Sequence, residues 1–297
     1  MSISKQINLV LTTTLLLIFS FSSFGQKLEP KERITEPDHI ISSEIIGRDY
    51  QLYISFPKNY SNKDTISYPV LYVLDGLQAF SLLKGTQFLL GLEDEIEEVI
   101  IVGIGSETDI PSWLHNRSYD LTTSLDTTAH GWMEAAWDLP KGSIKTGGAS
   151  EFLECIKTEI IPFVDKNYKT NTDRGITGHS FGGLFTTYCF INSDGYFTRF
   201  GISSPSLWWD SEKLLNKAGS QFIENKTWDL PRTKVFISVG EKEGKSMVPT
   251  MVKFSSYLES KNYDNIDLKW KIFYEESHLS VWPSNISRTL TTLYGKK

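Results

Sequence analysis

Cysteine is nearly missing from this chain of 297 residues: only Cys155 and Cys189 occur. Two cysteines make no disulfide framework, and both fall in predicted helices, so they read as buried thiols. No cluster of Cys or His has zinc-ligand spacing, and no G-x-x-x-x-G-K-[ST] phosphate loop is present. No metal and no cofactor are therefore expected. Basic charge is also short, with 30 Lys and Arg against 36 Asp and Glu and a net charge of −6. That balance gives no global attraction to nucleic acid or to an anionic membrane, and neither is expected as a partner. Histidine is sparse as well, with five in all.

Long apolar runs are confined to the start. Lys5 precedes an apolar stretch from Ile7 to Phe24, followed by Gly25. With Ser22 and Ser23 this reads as a secretory signal peptide over residues 1–25, cleaved near Gly25–Gln26. The stretch is also about long enough to span a bilayer, which leaves an uncleaved anchor as the alternative. No cysteine stands near the cleavage point, so no lipoprotein anchor is expected. After cleavage no stable membrane insertion is expected, and the protein is exported to a periplasm or beyond the cell. Residues 26–38 form a polar linker, and residues 39–297 are long enough for one α/β domain with a substantial core.

In that domain strands alternate with helices. Ile40–Ile46 and Asp49–Phe56 read as two antiparallel strands around Gly47-Arg48. The runs at Pro69–Leu74, 99–104 and Lys234–Val239 are continuously apolar, as in strands buried on both faces. Arg174–Thr177, Tyr196–Ser203 and Leu268–Tyr274 complete the strands. Helices are expected over Gly76–Leu92, Glu151–Tyr168 (interrupted at Pro162), Leu184–Asn192, Lys213–Lys217, Met247–Lys261 and Val281–Tyr294. The stretch from Gly105 to Gly148 reads as irregular. The fold class is α/β, with a mainly parallel central sheet and helices on both faces.

One string carries chemistry. Gly178-His179-Ser180-Phe181-Gly182-Gly183 contains G-x-S-x-G between a strand and a helix. This is a nucleophile elbow, in which a sharp turn presents a serine at the carboxyl end of a strand and small neighbours are required. A serine hydroxyl needs a general base, and the base needs an orienting carboxylate, in the chain order Ser, acid, His. Only His278 lies downstream of Ser180, in the polar loop after the last strand. The acid should follow the preceding strand, where Glu241 and Glu243 both stand; Glu243 is favoured because one more turn of loop brings it towards the histidine. His179 is read as packing or local hydrogen bonding, not as the base. An oxyanion needs backbone donors. Phe181 N–H is one, and the Leu74-Asp75-Gly76-Leu77 loop supplies Leu77 N–H as the other.

The strings YPVLYVLDGLQAF, VIIVGI, NRSYDLT, FLECIKTEIIPFVDKNY, GHSFGGLF, ISSPSLWWD and VFISVGEKE resemble the esterase family of α/β-hydrolases. That group includes esterase D-like enzymes, enterochelin-type siderophore esterases, feruloyl and acetylxylan esterases, and mycolyltransferases of the antigen 85 group. The resemblance implies an α/β-hydrolase fold and a triad of Ser180, Glu243 and His278 acting through an acyl-enzyme. It implies a small-molecule ester as partner: a siderophore, an aryl ester or an acetylated sugar. It offers Arg117 as a binding residue, with a structural Arg117–Asp120 pair as the alternative. Trp113, Tyr119, Trp132, Trp137, Trp208 and Trp209 either cover the core or stack on substrate, and Trp209 is the stacking candidate. Acyl transfer to a sugar, or binding of a glycan or siderophore without turnover, are the alternative functions.

Overall fold

The structure is a computed structural model that describes residues 36–61, 63, 65–106, 109–224 and 227–296. The expected signal peptide and nearly all of the expected linker lie outside these residues.

Eight strands form one sheet: β1 (His39–Ser43), β2 (Arg48–Ser55), β3 (Tyr68–Val73), β4 (Ile100–Gly105), β5 (Thr170–His179), β6 (Arg199–Ser203), β7 (Thr233–Gly240) and β8 (Ile266–Phe273). Their spatial order is β1-β2-β4-β3-β5-β6-β7-β8. β1 and β2 pair antiparallel, as do β2 and β4; every later pairing is parallel. The sequence of β3 explains its central place. Its alternate residues serve two cores: Val70 and Tyr72 face one, Leu71 and Val73 the other. Period-two alternation of entirely apolar residues is what a strand covered on both faces requires.

Helices α1 (Gly76–Leu92) and α9 (Trp282–Leu293) supply Phe80, Leu83, Leu290 and Leu293 to the smaller core. The larger core takes Phe152 from α4 (Ala149–Cys155), Ile161 and Val164 from α5 (Ile161–Asn167), Leu184 and Phe185 from α6 (Phe181–Asn192), Leu214 and Leu215 from α7 (Trp209–Glu224), and Met251 and Phe254 from α8 (Gly244–Lys261). A π-helical turn, Ile156–Ile160, joins α4 to α5, and Pro162 stands directly after it at the start of α5.

The Gly105–Gly148 stretch departs from expectation. It holds two helices, α2 (Ile110–Asp120) and α3 (Thr127–Ala136). Their start signals are conventional. Asp109 caps α2 by accepting from Ser112 N, with Pro111 in the first turn, and Asp126 caps α3 by accepting from Thr128 and Ala129 N. Neither helix has a clean apolar stripe, so periodicity alone does not reveal them.

The parallel strands all end at one edge. Val73 pairs with Thr177, His179 with Ser203, and Ser203 with Ser238. From β3 the chain moves out to β4 on one side and then returns to β5 on the other. Loops that leave a sheet at such a switch point part from one another and open a crevice.

Candidate active site

Ser180 follows β5 directly and precedes α6. Its backbone lies at φ 63°, ψ −117°, a region costly for any residue with a Cβ. Three backbone bonds hold it there. Ser180 N donates to Ser203 O (3.1 Å), and Ser180 O accepts from Ser206 N (3.1 Å) and Leu184 N (3.0 Å). Gly178 is required by space: a Cβ there would stand 2.6 Å from the Gly182 carbonyl. The Ser180 hydroxyl is half-buried and lies 3.5 Å from Ser206 Oγ. Among the described residues no hydrogen bond joins it to an imidazole; such contacts commonly tighten only when substrate is bound.

His278 lies in the loop between β8 and α9. Its Nδ1 is 2.7 Å from Glu243 Oε2. The other carboxylate oxygen of Glu243 accepts from Ser204 Oγ and Gly240 N, each at 2.6 Å. The Glu243 side chain is 0% exposed and that of His278 is 39% exposed. A buried carboxylate with all its acceptor capacity directed inward is suited to hold one imidazole tautomer, with hydrogen on Nδ1 and Nε2 free to accept. The loops are tied to each other: Lys242 N donates to Glu276 O, and Glu275 N donates to Glu241 Oε2 at 3.0 Å. Glu241 is exposed and serves this backbone contact; it is not on the histidine. The two glutamates open in the sequence thus take distinct places.

His179 packs its ring on His278, with centroids 4.5 Å apart. Because His179 adjoins Ser180 in the chain, this contact puts the His278 ring at the elbow. Burial, followed by the neighbouring His278 and Arg117 charges, holds His179 well below the usual histidine range, so it stays neutral.

Leu77 stands in the first turn of α1 and Phe181 in the first turn of α6. N–H groups there have no intrahelical acceptor and point out of the helix end. Asp75 initiates α1 in the left-handed conformation (φ 51°) and its carbonyl accepts from Gln78 and Ala79 N. Gly76 must be glycine, since a Cβ would come within 2.7 Å of Ile104 N. A Cβ on Gly182 would stand 3.5 Å from Asp75 Oδ2, so the turn after β3 lies against the elbow.

Arg117 has a partner that the sequence did not suggest. Its Nε and Nη2 donate to the two oxygens of Asp75, each at 3.0 Å, and Trp113 Nε1 donates to Asp75 Oδ1 at 2.9 Å. The guanidinium lies over the rings of Trp113 (4.9 Å) and Phe181 (5.3 Å). The Arg117 and Asp75 side chains are 10% and 4% exposed. The alternative Arg117–Asp120 pair is not formed. Asp120 instead bonds Arg48 and, at 2.9 Å, Tyr50 Oη. Burial pushes the Asp120 carboxyl up to about 6 against the pull of those two donors.

Trp209 corrects an expectation. It is 1% exposed, its Nε1 donates to Ser124 O, and its ring meets Phe181 edge-on at 5.2 Å. A residue so enclosed packs the elbow and cannot stack on substrate. The aromatic surface beside it is made by half-buried Trp208 and by Trp132, 46% exposed, with centroids 6.1 Å apart. Asp75, Ser204 and Ser206 are not singled out by the sequence as side chains of the site, and Trp113, read there as lid, core or stacking surface, instead donates to Asp75. The LDG turn placed Asp75 there, but nothing local shows that its carboxylate would receive Arg117.

A parallel sheet with antiparallel strands at one margin, and a serine at a strand–turn–helix junction above it, defines the α/β-hydrolase class. A family model described as "Putative esterase" matches residues 43–283, and the chain belongs to that family. Among curated proteins it is similar to the apo-salmochelin esterase of Escherichia coli O6:H1, 31% identical over 57% of this chain and 51% of that one. The chain thus spans about half the length of that relative. It is 27% identical to the ferri-bacillibactin esterase BesA of Bacillus subtilis, over 84% of this chain and 86% of that protein. Among solved structures it resembles the BES protein from Bacillus cereus, with a TM-score of 0.74, 30% identity, and coverage of 87% and 94% of the two chains.

Proposed function

We propose that this chain hydrolyses carboxylic esters of a siderophore, with Ser180 as nucleophile, His278 as general base and acid, and Glu243 as the carboxylate that orients His278. The observation that carries this reading is the Glu243–His278 hydrogen bond of 2.7 Å beside the elbow serine. The siderophore part rests on the names of the relatives, which are esterases of salmochelin and bacillibactin.

In the acylation step, Ser180 Oγ bonds to the ester carbonyl carbon while its proton passes to His278 Nε2. The carbonyl electrons become an oxyanion held by the N–H groups of Phe181 and Leu77. Collapse breaks the bond to the alcohol oxygen, which takes the proton from His278. Water then attacks the acyl-serine, giving its proton to His278; the acid is released and Ser180 regains its hydrogen. Trp208 and Trp132 offer ring surface on which an aryl part of the substrate can stack.

Export is part of the same proposal, with the leader removed near Gly25–Gln26 and the product in a periplasm or the medium. N-terminal sequencing of the protein recovered from the cell exterior tests it. The activity is tested by incubating the mature chain and Ser180→Ala with enterobactin, iron-free and ferric, and with p-nitrophenyl acetate. Opening of the lactone by the wild type, reduced roughly 10⁴-fold in the variant, is the expected result. Turnover of p-nitrophenyl acetate alone would retain the esterase and remove the siderophore.

A further inference from the structure

Among the described residues the His278 side chain makes one hydrogen bond, from Nδ1 to Glu243, in a loop where its ring is partly exposed. One hydrogen bond fixes one atom of a ring and leaves the plane free to turn about that bond. The plane is met by a second ring. His179 packs on it at 4.5 Å with 42° between planes, and Trp282 abuts His179 at 5.0 Å in an edge-on arrangement of 75°. The backbone of His179 is itself fixed, because it closes β5 opposite Ser203.

We propose that His179 is a positioning residue that sets the plane of the His278 imidazole through its ring face. This rests on the reading of Ser180 and His278 given above. Consecutive residues, His179 at the end of β5 and Ser180 directly after it, would then fix both the base and the nucleophile. Errors in the position of β5 move the two together, which preserves the approach of Nε2 to Oγ.

The surroundings favour this role over simple core filling. His179 shares a cavity of about 30 Å³ with Trp282, Asn285 and Thr289. Trp282 Nε1, Asn285 Nδ2 and Thr289 Oγ1 are buried there without a protein partner. A residue chosen only to fill that space would be apolar. The volume suits one or two water molecules, which buried polar atoms of this kind bind. Neither His179 nitrogen competes for Glu243 or for the serine. The charged and titratable groups that face His179 are His278, with Glu243 bonded to it, and the Asp75–Arg117 pair; α9 contributes Trp282, Asn285, Ile286 and Thr289, and α1 Ala79 and Leu83. A neutral ring does not oppose the charge that His278 acquires during turnover, whereas a protonated one would.

The test is turnover of p-nitrophenyl acetate by His179→Ala, His179→Asn and His179→Phe, each verified as folded by its melting curve, beside Ser180→Ala. Loss of the ring should lower kcat by about 10- to 100-fold in the Ala and Asn variants, the scale of a small misplacement of a reacting group, with KM changed less than about threefold. His179→Phe, which keeps a ring without nitrogens, should recover most of that loss. The His278 ring protons should show an upfield ring-current shift in the NMR spectra of the wild type and the Phe variant, lost in the Asn variant. Equal kcat in all three His179 variants, Asn above Phe, or an Asn variant that keeps the upfield shift would overturn the positioning role. Undiminished turnover in Ser180→Ala would instead overturn the reading beneath it. Should His179→Ala not fold, the Asn and Phe pair decides.

Discussion

At the scale of single residues, the division of labour between two neighbouring glutamates is the sharpest consequence. Glu243 is enclosed and bonded to His278, while Glu241 is exposed and bonded to a backbone N–H. Glu243→Gln should reduce kcat by roughly 10²- to 10⁴-fold, because an amide can hold the wrong imidazole tautomer. Glu241→Gln should stay within about threefold of wild type, since a surface substitution away from the reacting groups has little leverage. Steady-state kinetics of the two variants side by side decides it. His179 carries a second consequence, for stability. The folded protein refuses a proton that the unfolded chain accepts below about pH 6.5. A histidine depressed in this way contributes no penalty above that pH, and destabilises the fold progressively as pH falls below it. Urea unfolding should therefore show the wild type losing stability relative to His179→Phe as pH falls from 8 to 5.5. A constant difference from pH 8 to 5.5 would mean that His179 is protonated in the fold.

At the scale of elements, the turn that opens α1 lies against the elbow that opens α6, and the Asp75–Arg117 pair ties α2 to the start of α1. Removing one member of a buried pair leaves an unmatched charge, at a cost of about 3–5 kcal/mol. Arg117→Met should accordingly lower the unfolding free energy by about 3 kcal/mol and lower kcat more than it raises KM. The double variant Arg117→Met/Asp75→Asn should regain part of the stability; if it loses more than Arg117→Met alone, the pair is not what holds α1. Urea melts of both variants measure this. The elements differ in how readable they were. β3, β4 and β7 announce themselves as unbroken apolar runs, and the elbow is a local signature because its strained turn constrains adjacent residues. α2 and α3 do not: their start signals, Asp109 before Pro111 and Asp126 before Thr127, are sound, but their faces divide among Asp75, the aromatic surface and solvent, which leaves no periodic stripe. Long-range partners were equally illegible. Arg117 lies three residues from Asp120 and 42 from Asp75, and it bonds the distant one because the turn after β3 brings that carboxylate to the elbow. Trp209 looked accessible beside Trp208, yet adjacent residues leave a turn in different directions, and Asp210, Ser211 and Glu212 all follow with positive φ.

At the scale of the whole molecule, eight strands and two cores serve to bring five loop ends to one edge of the sheet. Asp75 follows β3, Ser180 follows β5, Ser204 and Ser206 follow β6, Glu243 follows β7 and His278 follows β8. The site is therefore a product of parallel topology: Asp75, Ser180, Glu243 and His278 each follow a different strand and lie far apart in sequence. The central claim is that this assembly activates Ser180. It is tested most directly by exposing the folded chain to a fluorophosphonate and locating the adduct by peptide mass spectrometry. One adduct is expected, on Ser180, formed at pH 8, absent from Ser180→Ala and slowed in His278→Ala. Folded protein that remains unmodified, or an adduct on another residue that persists in Ser180→Ala, would contradict it.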